Sequence, residues 1–169
     1  MKKIIIGFTL IFTSVFSSLG QTPSQNLPSE IQDKLALKKL VDDFSILADK
    51  KDIPNQMHLF TDDATVESVT NGQSSILKGK KEIANAFAGF LNMFEVVYHI
   101  NGQQVVEING NNATGTAYCR VTLIGSQNGI KTQRDMGVIY SDEYKKLDGI
   151  WLISKRKSNF TWTNVQSYN

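Results

Sequence analysis

Proton transfer is the chemistry that the rare reactive residues of this sequence favour. The chain contains two histidines, His58 and His99, and one cysteine, Cys119. An imidazole titrates near physiological pH and can therefore accept a proton and return it. A single cysteine excludes an internal disulfide and a cysteine-rich metal site, and two histidines argue against a histidine-rich metal cluster. We therefore expect a site that uses no metal and no cofactor.

The two histidines differ in their surroundings. His99 lies in the first half of a long segment with strand-like alternation, in which Val97, His99 and Asn101 share one face. His58 lies on a short helical segment between two apolar residues, which is typical of a partly exposed structural histidine. A strand histidine can also be purely structural, so its position alone leaves the role of His99 open.

Three helical segments occupy the first half of the chain. Apolar residues at helical spacing predict a first helix from Ser29 to about Lys50. Asp49 lies near its C-terminal end, where the helix dipole favours cations, so a carboxylate there is electrostatically unfavourable. The segment 52–54 starts a short second helix with Asp and Pro. Helical spacing predicts a third helix over 80–94.

The remaining segments are strands. A short pair at 64–69 and 75–78 is joined by an Asn-Gly turn. Four long alternating segments follow, at 96–108, 113–126, 130–144 and 150–162. This order indicates an α+β fold, in which a curved antiparallel sheet wraps around the N-terminal helices. Such a cone-shaped α+β barrel encloses a natural ligand pocket.

The N-terminus has the pattern of an export signal. Lys2 and Lys3 precede an apolar run, and small residues at 18 and 20 predict cleavage before Gln21. We therefore expect a signal peptide at 1–20, a flexible leader at 21–29, one domain at 30–163 and a C-terminal tail at 164–169. The apolar run is too short for a stable membrane anchor, although an uncleaved anchor is the alternative. The expected location is periplasmic or secreted.

Length and charge restrict the classes of partner. A chain of 169 residues with 41% hydrophobic and 20% charged residues fits one globular domain and excludes disorder as its main state. Its 18 Lys and Arg face 16 Asp and Glu, and removal of Lys2 and Lys3 leaves 16 of each. Because no basic surface field remains, nucleic acid and acidic lipid are not expected partners.

Several short motifs carry a family resemblance over residues 30–162. They are Ala48-Asp49-Lys50-Lys51-Asp52, Leu59-Phe60-Thr61-Asp62-Asp63-Ala64, Lys78-Gly79-Lys80-Lys81-Glu82-Ile83, Tyr98-His99-Ile100, Val105-Val106-Glu107-Ile108, Tyr140-Ser141-Asp142 and Asp148-Gly149-Ile150-Trp151-Leu152-Ile153 with Arg156. In this order and spacing, the chain resembles the SnoaL-like branch of the nuclear transport factor 2-like superfamily. Ketosteroid isomerase and scytalone dehydratase share that fold, which also hosts noncatalytic binders.

The resemblance implies roles for two residues. Asp49 matches the pocket aspartate of dehydratase-like relatives, and His99 matches the strand histidine that points into their cone. His99 would then move a proton, and Asp49 would orient it. The match is partial, because Ala48 stands where the dehydratases have a tyrosine and no second histidine follows His99.

The pocket that the fold implies would be apolar and would take a small hydrophobic molecule. Its expected lining consists of Phe44, Phe60, Phe87, Val97, Tyr118 and Tyr140. A tyrosine hydroxyl such as that of Tyr140 can polarise a carbonyl. Apolar residues on both faces of the last strands also predict a homodimer through the open face of the sheet.

Two functions remain open at this point. The first is a cofactor-independent lyase or isomerase that works by acid–base chemistry on a small, largely apolar carbonyl compound. The second is a noncatalytic module that binds a small hydrophobic molecule. Contact between Asp49 and His99 beside an unfilled cavity would favour the enzyme. The basic run 155–157 is interpreted as a solvated patch.

Overall fold

The computed structural model describes residues 28–127 and 129–168. The predicted signal peptide, and the leader up to residue 27, lie outside these residues. Three helices and six strands follow in the order α1 (Ser29–Asp49), α2 (Ile53–Met57), β1 (Phe60–Thr70), β2 (Gln73–Lys78), α3 (Gly79–Leu91), β3 (Val96–Asn109), β4 (Asn112–Gln127), β5 (Ile130–Leu147) and β6 (Ile150–Ser167).

The helices form where the apolar periodicity predicts them. The buried side of α1 includes Leu37, Val41 and Phe44, which recur at spacings of three and four residues. The carboxylate of Asp52 caps α2 by accepting a hydrogen bond from the backbone N–H of Asn55 at 3.3 Å. All three helices therefore begin within one residue of the positions expected from the sequence.

The strands form one six-stranded sheet in the order β2-β1-β6-β5-β4-β3. The predicted α+β fold is confirmed, with two differences of detail. The pair β1 and β6 is parallel, so the sheet is mixed. The outer strands β2 and β3 lie at opposite ends of the order, so the curved sheet remains open instead of closing into a barrel.

Irregular pairing bends the long strands. The register between β3 and β4 shifts between Asn101 and Gln104, where the Asn-Gly interruption predicts a bulge. Two further shifts occur between β5 and β6, one at Gly137 and Val138 and one at Glu143 and Tyr144. Residues 164–167 still pair with β5, so the predicted C-terminal tail begins inside β6.

A charged pair lies in the core beneath the sheet. Arg156 is fully buried and binds both carboxylate oxygens of Asp142, at 2.9 and 2.6 Å. Burial alone lowers the pKa of Arg156, but the contact with Asp142 outweighs it and holds that pKa above its ordinary value. The interpretation of 155–157 as a solvated patch is therefore wrong for Arg156, because alternation turns it inward between two exposed lysines.

Candidate functional site

A cavity of about 690 Å³ lies between the helices and the concave face of the sheet. This volume is within the range of small-molecule sites in proteins. The described residues that line it are Phe44, Ala48, Gln56, Val66, Ser68, Thr70, Asn71, Ser75, Leu77, Ala86, Phe87, Phe90, Leu91, His99, Val121, Leu123, Arg134, Met136, Tyr140, Ser158, Phe160 and Thr163. Most of them are apolar or aromatic, which suits a largely apolar ligand.

The structure brings Asp49 and His99 together. The Nδ1 atom of His99 lies 2.6 Å from Oδ1 of Asp49, and the backbone N–H of His99 donates to Oδ2 at 3.3 Å. The side chain of His99 is 8% exposed and that of Asp49 is 25% exposed. One carboxylate therefore binds both the ring and the backbone of the same residue, which fixes the orientation of the imidazole.

This contact determines which ring nitrogen can react. An ionised carboxylate only accepts hydrogen bonds, so Nδ1 of a neutral His99 carries the proton and Nε2 keeps its lone pair. No residue in the described ranges forms a hydrogen bond with Nε2. His99 lines the cavity and Asp49 does not, so the imidazole stands between the carboxylate and any bound molecule.

A second set of hydrogen bonds connects α1 to β3 beside this pair. Asn101 donates to the backbone oxygen of Val41 at 3.2 Å and to Asp42 at 3.0 Å. The hydroxyl of Ser45 donates to Oδ1 of Asn101, also at 3.0 Å. Because Asn101 shares a strand face with His99, these bonds hold the strand at a fixed distance from the helix that carries Asp49.

Aromatic side chains form one wall without filling the cavity. The ring of Phe44 meets those of Phe60, Phe87 and Tyr140 edge to face, with centroids 6.0 to 6.1 Å apart. Phe44, Phe87 and Tyr140 line the cavity. Phe60 is fully buried behind them and supports the wall instead of contacting the open space.

Tyr140 and Cys119 are adjacent groups that remain protonated. Burial raises the pKa of Tyr140 well above its ordinary value, so its phenol can act only as a neutral hydrogen-bonding group. Burial likewise raises the pKa of the Cys119 thiol to about 11. A protonated, buried thiol is a poor nucleophile, so Cys119 packs as a small apolar residue.

Besides Phe60, two expected lining residues do not reach the cavity. Val97 is buried on the same strand face as His99, but side chains cover it and it does not reach the cavity. Tyr118 is 48% exposed on the opposite face of the sheet. The prediction for Tyr118 is wrong because successive strand residues point to opposite faces, and its neighbours Ala117 and Cys119 are the buried ones.

The cavity has many lining residues that the sequence pattern does not predict, among them Gln56 and Arg134. Gln56 donates from Nε2 to the backbone oxygen of Phe44 at 3.0 Å, while its buried Oε1 has no partner among the described residues. Arg134 lies on β5 and is half-buried. It shares a strand face with Met136, but the polar residues 131–133 and Asp135 around it hide this pattern in the sequence.

The described residues show neither a metal centre nor a membrane span. No group of three or more His, Cys, Asp or Glu side chains in residues 28–127 and 129–168 is arranged to hold a metal ion. Within the same ranges, the helices are too short or too polar to cross a bilayer.

The fold is shared with solved structures of low sequence identity. A scytalone dehydratase-like protein from Novosphingobium aromaticivorans is 18% identical, with a TM-score of 0.70 over 83% of this chain and 91% of that one. A type 2 hexachlorocyclohexane dehydrochlorinase, LinA, is 18% identical, with a TM-score of 0.71 over 81% and 90%. An NTF2-like protein with a cystatin-like fold, also from Novosphingobium aromaticivorans, is 17% identical, with a TM-score of 0.66 over 79% and 84%.

Sequence comparison is more specific about the family. A search of curated proteins finds no similar sequence. The SnoaL-like domain family matches residues 29–157, which span α1 to the middle of β6 and include Asp49, His99 and most of the cavity wall. This chain therefore belongs to the family of SnoaL-like domain proteins.

Proposed function

We propose that this protein is a cofactor-independent lyase or isomerase that acts by acid–base chemistry on a small, largely apolar carbonyl compound. The observation that carries the proposal is the 2.6 Å contact between Asp49 and Nδ1 of His99 at the wall of the cavity. A base that is held in one tautomer and aligned by a third group suits proton transfer.

The proposed reaction begins at Nε2 of His99. This atom takes a proton from the carbon next to a carbonyl group, and the electrons of the C–H bond form a new double bond. In a lyase reaction, a group on the neighbouring carbon leaves with its bonding electrons. In an isomerase reaction, the imidazolium returns the proton to another carbon. The charge of Asp49 stabilises the imidazolium in both cases.

Of the two reaction types, the solved structures favour the lyase, because their descriptions name a scytalone dehydratase-like protein and a dehydrochlorinase. Both names describe elimination reactions. The shared fold alone does not assign an activity, so the proposal depends on the two residues and not on the names.

Hydrogen exchange at carbon tests the proposal directly. The protein is incubated in D2O with 2-tetralone, and loss of the proton signal next to the carbonyl is followed by NMR. The unsubstituted protein should accelerate the exchange, and His99→Gln should reduce the acceleration about 10²-fold or more. His58→Gln is the matched control, because His58 is exposed and does not line the cavity.

Two results would contradict the enzyme. The first is equal exchange in the His99→Gln variant and the parent. The second is no acceleration by the parent with 2-tetralone or with a 3-hydroxyketone, whose dehydration would give a conjugated enone that absorbs in the ultraviolet. Either result would favour the noncatalytic binding of a small hydrophobic molecule.

Export is part of the same proposal. The Lys2-Lys3 pair, the apolar run and the small residues at 18 and 20 predict a periplasmic or secreted protein. N-terminal sequencing of the protein recovered outside the cytoplasm should begin at or near Gln21. Recovery of chains that still start at Met1 in the membrane fraction would overturn the cleavage.

A further inference from the structure

Arg134 gives the cavity its charge. Among the described lining residues it is the only one with a permanent charge, and none of the others is an aspartate or a glutamate. Its cross-strand neighbours are Leu123 on β4 and Val165 on β6, which offer no hydrogen-bonding side chain. In the ranges that the structure describes, no ion pair or hydrogen bond engages its guanidinium.

An unpaired guanidinium in such a position is unfavourable. Arg134 is half-buried in a wall that is largely apolar, and partial removal of a charge from water costs free energy unless a partner offsets it. The fold supplies such partners elsewhere, since Asp142 binds Arg156 and Asp135 lies 3.3 Å from Arg120. The missing partner of Arg134 is therefore expected to come from the ligand.

The sheet register places Arg134 close enough to His99 for one molecule to meet both. His99 pairs with Val121, and Leu123, two residues further along β4, pairs with Arg134. Two strand spacings and one two-residue step put the Cα atoms of His99 and Arg134 roughly 12 Å apart. Both side chains line the same cavity.

We infer that the ligand of this cavity is a monoanionic carboxylate with an apolar body, and that Arg134 binds the carboxylate. The planar guanidinium matches a carboxylate with two parallel hydrogen bonds. A single cation balances one negative charge, whereas a phosphate ester brings nearly two. The inference names the substrate class of the proposed site, and it relies on the proposed function only in placing the reacting carbon at His99.

Binding of matched probes tests this inference without requiring any reaction. The dissociation constants of 4-phenylbutyrate, 4-phenylbutan-1-ol and 4-phenylbutyl phosphate are measured by calorimetry. The parent should bind the carboxylate about tenfold or more tighter than the alcohol, because a charge-assisted hydrogen bond is worth that factor. Arg134→Gln should remove this preference, because it should weaken the binding of the carboxylate and leave the binding of the alcohol unchanged.

Two further variants separate charge from structure. Arg134→Lys should keep part of the preference, since it retains the charge and loses the two-pronged geometry. Arg120→Gln is the matched control, because Arg120 is exposed on the opposite face of the same sheet. It should leave all three affinities unchanged. Arg134 has no partner to lose among the described residues, so its variants should keep the melting temperature of the parent.

The inference is overturned if the parent binds the alcohol as tightly as the carboxylate, if it binds neither, or if Arg134→Gln binds both as the parent does. A tighter complex with the phosphate ester would overturn the choice of carboxylate. None of these results bears on the exchange assay of His99, so failure of this inference and failure of the proposed function are distinguishable.

Discussion

The carboxylate of Asp49, the last residue of α1, lies 2.6 Å from Nδ1 of His99 on β3, although fifty residues separate the two along the chain. The helix end is a poor place for an anion. Asp49 nevertheless lies there, and its two oxygens meet the ring and the backbone N–H of His99. This pairing compensates an unfavourable position with a specific partner, as is common at functional sites.

Asp49→Asn should disturb the tautomer of His99. An amide can donate as well as accept, so Nδ1 can lose its proton to become an acceptor, and the proton then moves to Nε2. Nitrogen-15 NMR of the imidazole should show protonated Nδ1 in the parent and a shift towards protonated Nε2 in the variant. The exchange rate with 2-tetralone should fall about 10²-fold or more with it. Identical ring spectra would mean that Asp49 does not control the histidine.

Asn101→Ala should loosen the support of this pair. The substitution removes three hydrogen bonds that connect β3 to α1. Their partners on the helix are the hydroxyl of Ser45, the backbone oxygen of Val41 and the carboxylate of Asp42. The free energy of unfolding should fall by about 1–3 kcal/mol, the cost of unsatisfied buried groups, as measured by urea denaturation. Asn159→Ala, at an exposed position on β6, is the control and should change it by less than about 0.5 kcal/mol. Equal losses would contradict the supporting role.

Local patterns in the sequence predict much of the fold, because helices and hairpins depend on neighbours along the chain. Spacing of apolar residues gives α1, and the Asn-Gly turn gives the β1–β2 hairpin. The parallel pairing of β1 with β6 joins segments about ninety residues apart, as in the pair Val66 and Arg156, and no periodicity specifies such a partner. The first residues of β1, from Phe60 to Asp63, lack alternation, so the pattern predicts a helix as far as Phe60 and the strand only from Ala64.

The candidate site is predictable only as far as strand alternation and the family resemblance reach. Both point to His99, and the resemblance points to Asp49, but the contact between them depends on the packing of α1 on β3. Alternation places Tyr118 on the face opposite the cavity, and it places Val97 on the correct face without showing what covers it. Arg134 required the folded sheet, because an isolated arginine among polar strand residues usually faces solvent.

Asp142→Asn should destabilise the protein strongly. The fully buried Arg156 would keep its charge but lose the carboxylate that compensates it, which costs about 3–5 kcal/mol of unfolding free energy. The neighbouring Glu143→Gln is a close control, because Glu143 pairs with Lys155 where both side chains are at least half exposed. Exposed pairs contribute less than about 1 kcal/mol. Similar losses for the two variants in urea denaturation would contradict this account of the core.

Asp33 should make the stability depend on acid pH. Hydrogen bonds from Lys146 and from the indole of Trp151 hold the pKa of Asp33 below its ordinary value. A carboxyl whose pKa is lowered by folding contributes stability above its unfolded pKa of about 3.9, and this contribution is lost as pH falls through the folded pKa. Asp33→Asn should therefore cost about 1 kcal/mol at pH 7, and the difference from the parent should shrink as the pH falls below about 3.9.

Asp148→Asn provides the comparison for that experiment. It removes the same charge from the exposed turn between β5 and β6, where the positive φ of 49° suits asparagine. Urea denaturation at pH 7, 5 and 3 should give nearly equal values for this variant and the parent. A cost of Asp33→Asn that stays constant from pH 7 to pH 3 would show that the lost bonds do not depend on the charge of the carboxylate.

The convex face of the sheet should bind a second copy of the chain. Tyr98, Ile100, Tyr118 and Trp162 are each about half exposed there, and cross-strand pairing places Ile100, Arg120, Gly137 and Trp162 in one row. The Trp162 ring lies against Gly137, where a Cβ atom would come within 2.0 Å of its Nε1. An apolar patch of this kind is rare on monomers, so we propose a homodimer.

Light scattering should give twice the monomer mass at micromolar concentration, and Ile100→Lys should give the monomer by placing a charge in the contact. Ile76→Lys, on the exposed outer strand β2, should remain dimeric. A monomeric parent, or equal dissociation by both variants, would exclude this face as the interface.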